Sequence, residues 1–336
     1  MIDSKAVKKQ AKAMGADLVG VASIDRFEGA PIQQDPRQIM PEAKSVIAVA
    51  FRVNRGSLRG IEEGTFFSNY SSMGYGGITY LFMPLVVMNL ARMIEDAGYE
   101  AVPYGHQSDW RAIDQEGDLY PNFSRPVAPG RAAPDVAVHL RIAAYLAGLG
   151  EIGYSKVFLT PQFGPRQRVG IIITEAELDP DPIYDGPKLC NRCMACVREC
   201  PGHAIDATKT VKVTLAGREV EWGELDCTAC CIGLRGGKVR TEDWEREYIK
   251  DDWSGKPIAP SDASPFYRKP RNLYNTGEAI CGGRGCMRAC MVSMEARGIL
   301  QNKFHTPFRR RKPWLMDWAG ESGEAAPSQR PLNEPD

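Results

Sequence analysis

The first 189 residues of this chain contain no cysteine, and all ten of its cysteines follow. A disulfide framework would spread cysteines through the fold, and a reducing compartment does not sustain one. The asymmetry instead marks a domain boundary near residue 185. Net charge is missing too: 42 basic residues balance 42 acidic ones. That balance argues against a nucleic acid or an anionic membrane as the main partner. Arg309-Arg-Arg-Lys312 is a local exception; flanked by Pro307 and Pro313 it reads as solvated, with a tRNA contact there left open. Long apolar runs are lacking, since the most apolar window, Tyr80 to Met93, is short and holds Pro84, Asn89 and Arg92, so no membrane span is expected. The N-terminus has neither an apolar signal core nor a twin-arginine pair, which leads to the expectation of a cytoplasmic protein. Histidine is scarce, with His106, His139, His203 and His305 the full set.

What is present is an ordinary globular composition, 43% apolar and 25% charged, in a chain long enough for two domains. Residues 4–14 predict a short helix stopped by Gly15. Continuous apolar runs at 17–22 and 45–51 predict buried strands, and 100–104 a shorter one. The Gly-, Ser- and Tyr-rich stretch 52–77 reads as a loop. A helix is expected from Met83 to Ala97, capped by Gly98. Residues 105–136 show no period, which in a compact domain points to a functional or mobile loop. A helix over 138–149 and strands at 157–160 and 168–174 follow, and residues 323–336 have the composition of a disordered tail. The first part is therefore an α/β or α+β domain.

Cys190, Cys193, Cys196 and Cys200, followed by Pro201, form Cys-x2-Cys-x2-Cys-x3-Cys-Pro. Three thiolates on one tight loop can each reach a different iron of a cubane, while the fourth turns away to ligate a second cluster. Pro201 suits a first helical turn, where no N–H is needed. Structural zinc favours two separated cysteine pairs, a different spacing. About eighty residues later comes Cys281-x4-Cys286-x3-Cys290, and between the two runs lie Cys227, Cys230 and Cys231. Two cubanes need eight thiolates. Cys190, Cys193, Cys196 and Cys290 are assigned to one; Cys200, Cys281, Cys286 and one of the middle trio to the other. Gly282-Gly-Arg-Gly285 lies between two of these cysteines, where its amides could approach cluster sulfurs.

Ala147-Gly-Leu-Gly-Glu-Ile-Gly153, Leu159-Thr-Pro-Gln-Phe-Gly-Pro165, Arg168, Thr174-Glu and Asp179-Pro-Asp-Pro-Ile183 lead directly into the Cys190 run. This block resembles the corrinoid-dependent iron–sulfur reductases, the superfamily of reductive dehalogenases and epoxyqueuosine reductases. The resemblance implies an α+β protein. A nitroreductase-like domain at 1–185 would bind cobalamin and substrate. A ferredoxin-like domain with an insertion, at 186–300, would carry two [4Fe–4S] clusters, and a C-terminal extension would follow at 301–336. It implies clusters that feed electrons to cobalt, a small-molecule or nucleoside substrate, and a donor of the ferredoxin or flavodoxin type. Within the middle trio it favours Cys230, four residues after Asp226. The chain departs from the epoxyqueuosine reductase pattern in having Tyr154-Ser155 where a Lys-Asn pair is usual. It departs again in its x4 spacing before Cys286 and in Met291.

A reduction at cobalt needs low-potential electrons, an open corrin face and a proton source. Clusters can supply the first, their range extending to about −700 mV. For the proton, Asp135 stands near the position of the acidic donor of epoxyqueuosine reductases. Tyr70, Tyr75 and Tyr80 could line a pocket as tyrosine acids of the dehalogenase kind, with Tyr80 taken as the candidate, and His139 lies on the same segment as Asp135. An N-cap carboxylate, packed rings and a satisfied structural histidine are the plainer readings of these residues. Gly148, Gly150, Gly153 and Tyr154 are candidates for close contact with a corrin; a helix C-cap and turn is the alternative for the glycines. Two other functions compete with the reductase: a bis-cluster electron carrier without corrinoid, and a reductase that holds flavin.

Overall fold

The computed structural model describes residues 2–63, 65–66, 69–105, 126–132, 136–200, 202–226, 229–230 and 285–309. Helix α1 (Ser4–Ala13) starts on Asp3, whose carboxylate accepts the Ala6 amide at 2.6 Å, and buries Val7 and Ala11. Strands β1 (Leu18–Ser23) and β2 (Ser45–Arg52) pair antiparallel, Leu18 opposite Ala50. After a 3-10 turn at Arg55–Leu58 comes the short helix α2 (Arg59–Glu63). A π-helical segment, Tyr70–Phe82, runs straight into α3 (Met83–Asp96), and β3 (Ala101–Tyr104) follows. Next come α4 (Leu140–Leu146) and two short strands, β4 (Glu151–Ile152) and β5 (Phe158–Leu159), which pair with each other. β6 (Gln167–Thr174) then enters the main sheet.

That sheet has the order β1-β2-β6-β3, and all its pairs are antiparallel. Its two middle strands are apolar along most of their length because both faces are covered. Val46, Ala48, Ile171 and Ile173 face α4 and its surroundings. Ile47, Val49, Phe51 and Ile172 face α1 and α3, meeting Val86, Val87, Leu90 and Ile94. The period-two alternation of strands thus splits one apolar run into two cores. Each fully buried side chain of this kind is worth about 1.5–3 kcal/mol. β3 carries Pro103, exposed, and lies at the sheet edge, where a missing N–H costs no ladder bond.

The rest of the described chain is built onto this sandwich. Helix α5 (Ala195–Arg198) precedes a hairpin of β7 (Ile205–Leu215) and β8 (Arg218–Leu225). Val220 and Trp222 of β8 join the α4-side core. Helix α6 (Cys286–Ala296) packs Met287 and Met291 against Val53, Leu58, Ile61 and Tyr70. Arg166 is 1% exposed and ties two parts together, donating to Val53 O (2.7 Å) and Asn302 Oδ1 (2.9 Å). Burial pulls its pKa down to about 10.

One expectation is corrected. The described residues of 52–77 are largely helical rather than a loop, because Ser71, Ser72, Gly74 and Gly76 are buried small residues that let the helix pack closely. Composition hides such a helix, since the same residues favour turns when nothing packs on them. Joined to α3 it makes Tyr70–Asp96, 27 residues of mean hydropathy 1.5, which by length and composition is enough to cross a membrane. Its buried face lies on the sheet.

Candidate functional site

Of the first run, Cys190 and Cys193 lie on the loop after Leu189, Cys196 on α5, and Cys200 two residues past its end. Met194 begins that helix in the left-handed region (φ 58°), as does Arg192 in the loop (φ 53°), so the chain coils tightly between successive cysteines. Cys290, a hundred residues away, joins them from α6. Cys190 and Cys290 pack in one group with Leu159, Leu189, Met294 and Leu300. Cys290 sits deep: burial first, then the neighbouring Cys190, Cys196 and Cys193 thiols, push its pKa up. Cys196 is raised likewise, by burial and then by Cys190 and Cys193. Cys190, Cys193, Cys196 and Cys290, brought together in sequence by thiolate counting, are thus neighbours in space.

Donors surround this group. The Tyr154 amide donates to Cys190 Sγ at 3.3 Å, and Cys193 Sγ lies 3.5 Å from Ser293 Oγ. Burial raises the Cys193 pKa, but the Ser293 hydroxyl, the Ala195 amide, Arg297 and Arg198 outweigh it and leave the thiol low. The Ser155 hydroxyl and the Val197 amide bond to Cys196. Beneath the loop, Glu151 accepts the Cys190 amide at 2.5 Å, and burial raises its pKa against the Cys190 and Leu189 amides. Such partners hold ligand sulfurs in place and stabilise charge on them. Among the described residues no three His, Cys, Asp or Glu side chains gather closely enough for one metal ion. A cubane asks for a different arrangement, because each thiolate meets its own iron.

Of the second ligand set, Cys200 and Cys286 pack beside Tyr154, Cys196 and Ile205. Cys200 Sγ accepts the Ala204 amide at 3.4 Å. Cys230 donates its own amide to Asp226 O (2.9 Å), so the Asp226 turn positions it. Cys281, Cys227, Cys231 and Gly282 to Arg284 lie outside the described residues. Arg288, between Cys286 and Cys290, forms a bidentate ion pair with Glu62 of α2; its Nη2 is 2.8 Å from Glu62 Oε1 and its Nη1 3.8 Å from Glu199 Oε2. Glu62 is 4% exposed and Arg288 7%. The pair fastens α6 to the first part of the chain. Neither it nor Glu151 carries a signal in the sequence, since a single Arg or Glu shows nothing of its partner.

The remaining candidates divide. Tyr80 is half-buried, with its hydroxyl 3.4 Å from that of Tyr75 and the two rings edge to face. The Arg168 guanidinium lies 4.3 Å from the centre of the Tyr75 ring and donates to Thr79 Oγ1 at 3.0 Å. Tyr75 and Ile78 pack on the group that includes Met287 and Met291, so the tyrosine pair adjoins α6. Asp135 lies outside the described residues. His139 caps α4: its Nδ1 accepts the Ile142 amide at 3.3 Å, and burial, then Lys156 and Arg141, push its pKa down to about 3.

The glycines offered as a corrin cradle are filled by the chain itself. A Cβ on Gly148 would lie 2.1 Å from Pro182 O, and one on Gly150 1.9 Å from Leu159 O; at Gly153 it would meet Leu159 at 3.0 Å. Tyr154 turns toward the cysteines, its hydroxyl donating to Asp206 O at 3.0 Å. A pocket of about 400 Å³ lies elsewhere, between the end of α6 and residues 302–308.

Fold and site together define an α+β protein with a cysteine-rich seat, dressed by amides and hydroxyls, docked on an antiparallel sandwich. Its sequence similarity is to the reductive dehalogenase and epoxyqueuosine reductase-like superfamily. A tetrachloroethene reductive dehalogenase of Desulfitobacterium hafniense is 28% identical over 237 residues, which cover 62% of this chain and 40% of that protein. An epoxyqueuosine reductase of Gloeobacter violaceus is 27% identical over 226 residues, 59% of this chain and 60% of the relative. Among solved structures, an epoxyqueuosine reductase from Streptococcus thermophilus aligns with 88% of this chain and 80% of its own at a TM-score of 0.47 and 17% identity. The chain spans about 40% of the length of the tetrachloroethene reductive dehalogenases it matches. No protein-family model matches it.

Proposed function

We propose that this protein is a corrinoid-dependent iron–sulfur reductase, in which two [4Fe–4S] clusters deliver electrons singly to a cobalamin that reduces a halogenated small molecule or a modified nucleoside. The observation that carries the reading is the meeting of Cys190, Cys193, Cys196 and Cys290. Their donors, the Tyr154 amide and the Ser155 and Ser293 hydroxyls, are the chemistry a charged cluster requires. Cys200, Cys230, Cys281 and Cys286 would hold the second cluster. Residues 1–185 would then form the substrate and corrinoid part and 186–300 the cluster part, working in the cytoplasm.

Support for a first cluster comes from neighbouring thiols and donors among the described residues; of the second set, Cys281 lies outside them. For cobalamin, Gly148, Gly150 and Gly153 pack against the chain itself, so that cofactor rests on the sequence similarity alone. When bound it would supply a strongly reducing cobalt centre. The chain's own contribution at that point is the proton. Tyr80 is the candidate donor: its hydroxyl is paired with Tyr75, which would pass a proton on, and Arg168 places a cation beside the negative charge left behind. Arg288 and Glu62 would fix α6, and with it the cluster ligands, against the segment that carries these tyrosines.

The test uses holo-protein made with cobalamin and low-potential reductant, assayed with a halogenated phenol and with an epoxyqueuosine-bearing tRNA stem loop. Tyr80→Phe should lower the rate at least 100-fold with iron and cobalt content unchanged, the usual scale for loss of a general acid. Wild-type rates from Tyr80→Phe would remove the tyrosine from the chemistry.

A further inference from the structure

Tyr154 lies where the two cysteine sets meet. It is 5% exposed and belongs to one packed group with Cys190 and Cys196 of the first set and Cys200 and Cys286 of the second. The hairpin of β7 and β8 holds it there. Its hydroxyl donates to Asp206 O on β7 at 3.0 Å, and the Gly223 amide on β8 donates to Tyr154 O at 2.8 Å. Residue 223 has to be glycine for the ring to fit, since a Cβ there would lie 2.6 Å from Tyr154 Cε1. Arg192, paired with Glu221, stands 5.8 Å from the ring centre. The main-chain amide of Tyr154 donates to Cys190 Sγ, a bond that any residue but proline would make at this position. The side chain contributes something else. With its one hydroxyl given to Asp206 O, it offers the sulfurs neither a donor nor a charge, only the carbon of a buried ring.

We infer that the Tyr154 side chain excludes water from the meeting of the two ligand sets and so holds the clusters at a low reduction potential. Reduction adds one negative charge to a cluster. Water stabilises that charge better than carbon does, so a dry seat makes the stored electron more reducing. The hydrophobic shell around a metal site sets its potential in this way, by controlling solvent access. Tyr154 is thus a positioning residue: it acts through the surroundings of the ligands and touches no substrate. The inference deepens the cluster reading above and rests on it, and cobalamin plays no part in it.

The experiment takes anaerobic, iron-loaded full-length protein, poises it with dithionite and redox mediators, and follows the reduced clusters by EPR. A second measurement freezes the reduced protein in D2O and reads deuterium coupling to the clusters by electron spin-echo modulation. Wild type is compared with Tyr154→Phe, which keeps the ring, and Tyr154→Ala, which removes it. The expected result is a Tyr154→Phe protein that titrates with wild type. Tyr154→Ala with full iron should titrate at a more positive potential and show stronger deuterium coupling. Should Tyr154→Ala lose iron, Tyr154→Leu, apolar but without the ring, is read in its place by the same two measurements. A full-iron variant without the ring that matches wild type in potential and in deuterium coupling would overturn the inference. So would a shift in Tyr154→Phe as large as that in Tyr154→Ala, because the hydroxyl tether would then account for the effect. Wild-type protein that takes up no iron would end the cluster reading itself, a failure distinct from these, whereas iron without cobalt would sink the corrinoid reading and leave this one standing.

Discussion

His139 accepts the Ile142 amide through Nδ1, so the fold requires a neutral ring with its proton on Nε2. Its pKa is held near 3, below the ordinary 6.5, by burial and by Lys156 and Arg141. Between those values the unfolded chain binds a proton that the folded chain refuses, so stability must fall as pH drops through that window. The expected loss is a few kcal/mol, because each tenfold difference in proton affinity between the two states is worth about 1.4 kcal/mol. His139→Asn keeps a capping acceptor without the titration, and its chemical-denaturation curves between pH 4 and 7 should be flatter than wild type. Parallel curves would place the acid sensitivity elsewhere. Among the cysteines, Cys193→Ala should remove about half the iron, whereas Cys227→Ala should leave it unchanged, because only the former sits in a predicted ligand set. Equal loss from both would redraw the assignment.

At the scale of elements, the ion pair between α2 and α6 carries a clear expectation. Removing one partner of a buried pair strands the other charge, at a cost of about 3–5 kcal/mol. Glu62→Ala should therefore lower the melting temperature sharply, and Glu62→Leu combined with Arg288→Met should recover much of it. If the single variant melts like wild type, α6 is fastened by Met287 and Met291 alone. The Gly150 backbone packs on β5 so closely that Gly150→Ala must displace Leu159, and a drop in soluble yield is expected. These elements also show where a sequence speaks and where it does not. β2 and β6 are legible because their apolar residues at 46–51 and 169–173 alternate between two buried faces. The helix at 70–82 was not, because its buried small residues owe their conformation to partners far along the chain.

For the molecule as a whole, the cysteine spacing pointed to Cys190, Cys193 and Cys196 as one group, and the structure brings Cys290 to it from α6. Spacing works there because three ligands share one loop, so local sequence dictates local geometry. The residues that dress the group were hidden: Glu151, Ser155 and Ser293 meet it only through tertiary packing. The acid–base candidates were legible as residue types but not as geometry; Tyr75, Tyr80 and Arg168 converge from two elements, and only the fold joins them. What the whole chain does depends on whether both metals are carried together. Protein purified anaerobically from cells supplied with cobalamin, analysed for iron, sulfide and cobalt with an absorption spectrum, tests this most directly. About eight irons and one cobalt per chain, with the absorbance of a base-off corrin, is the predicted result. Eight irons with no cobalt, even after reconstitution, would contradict the reductase account.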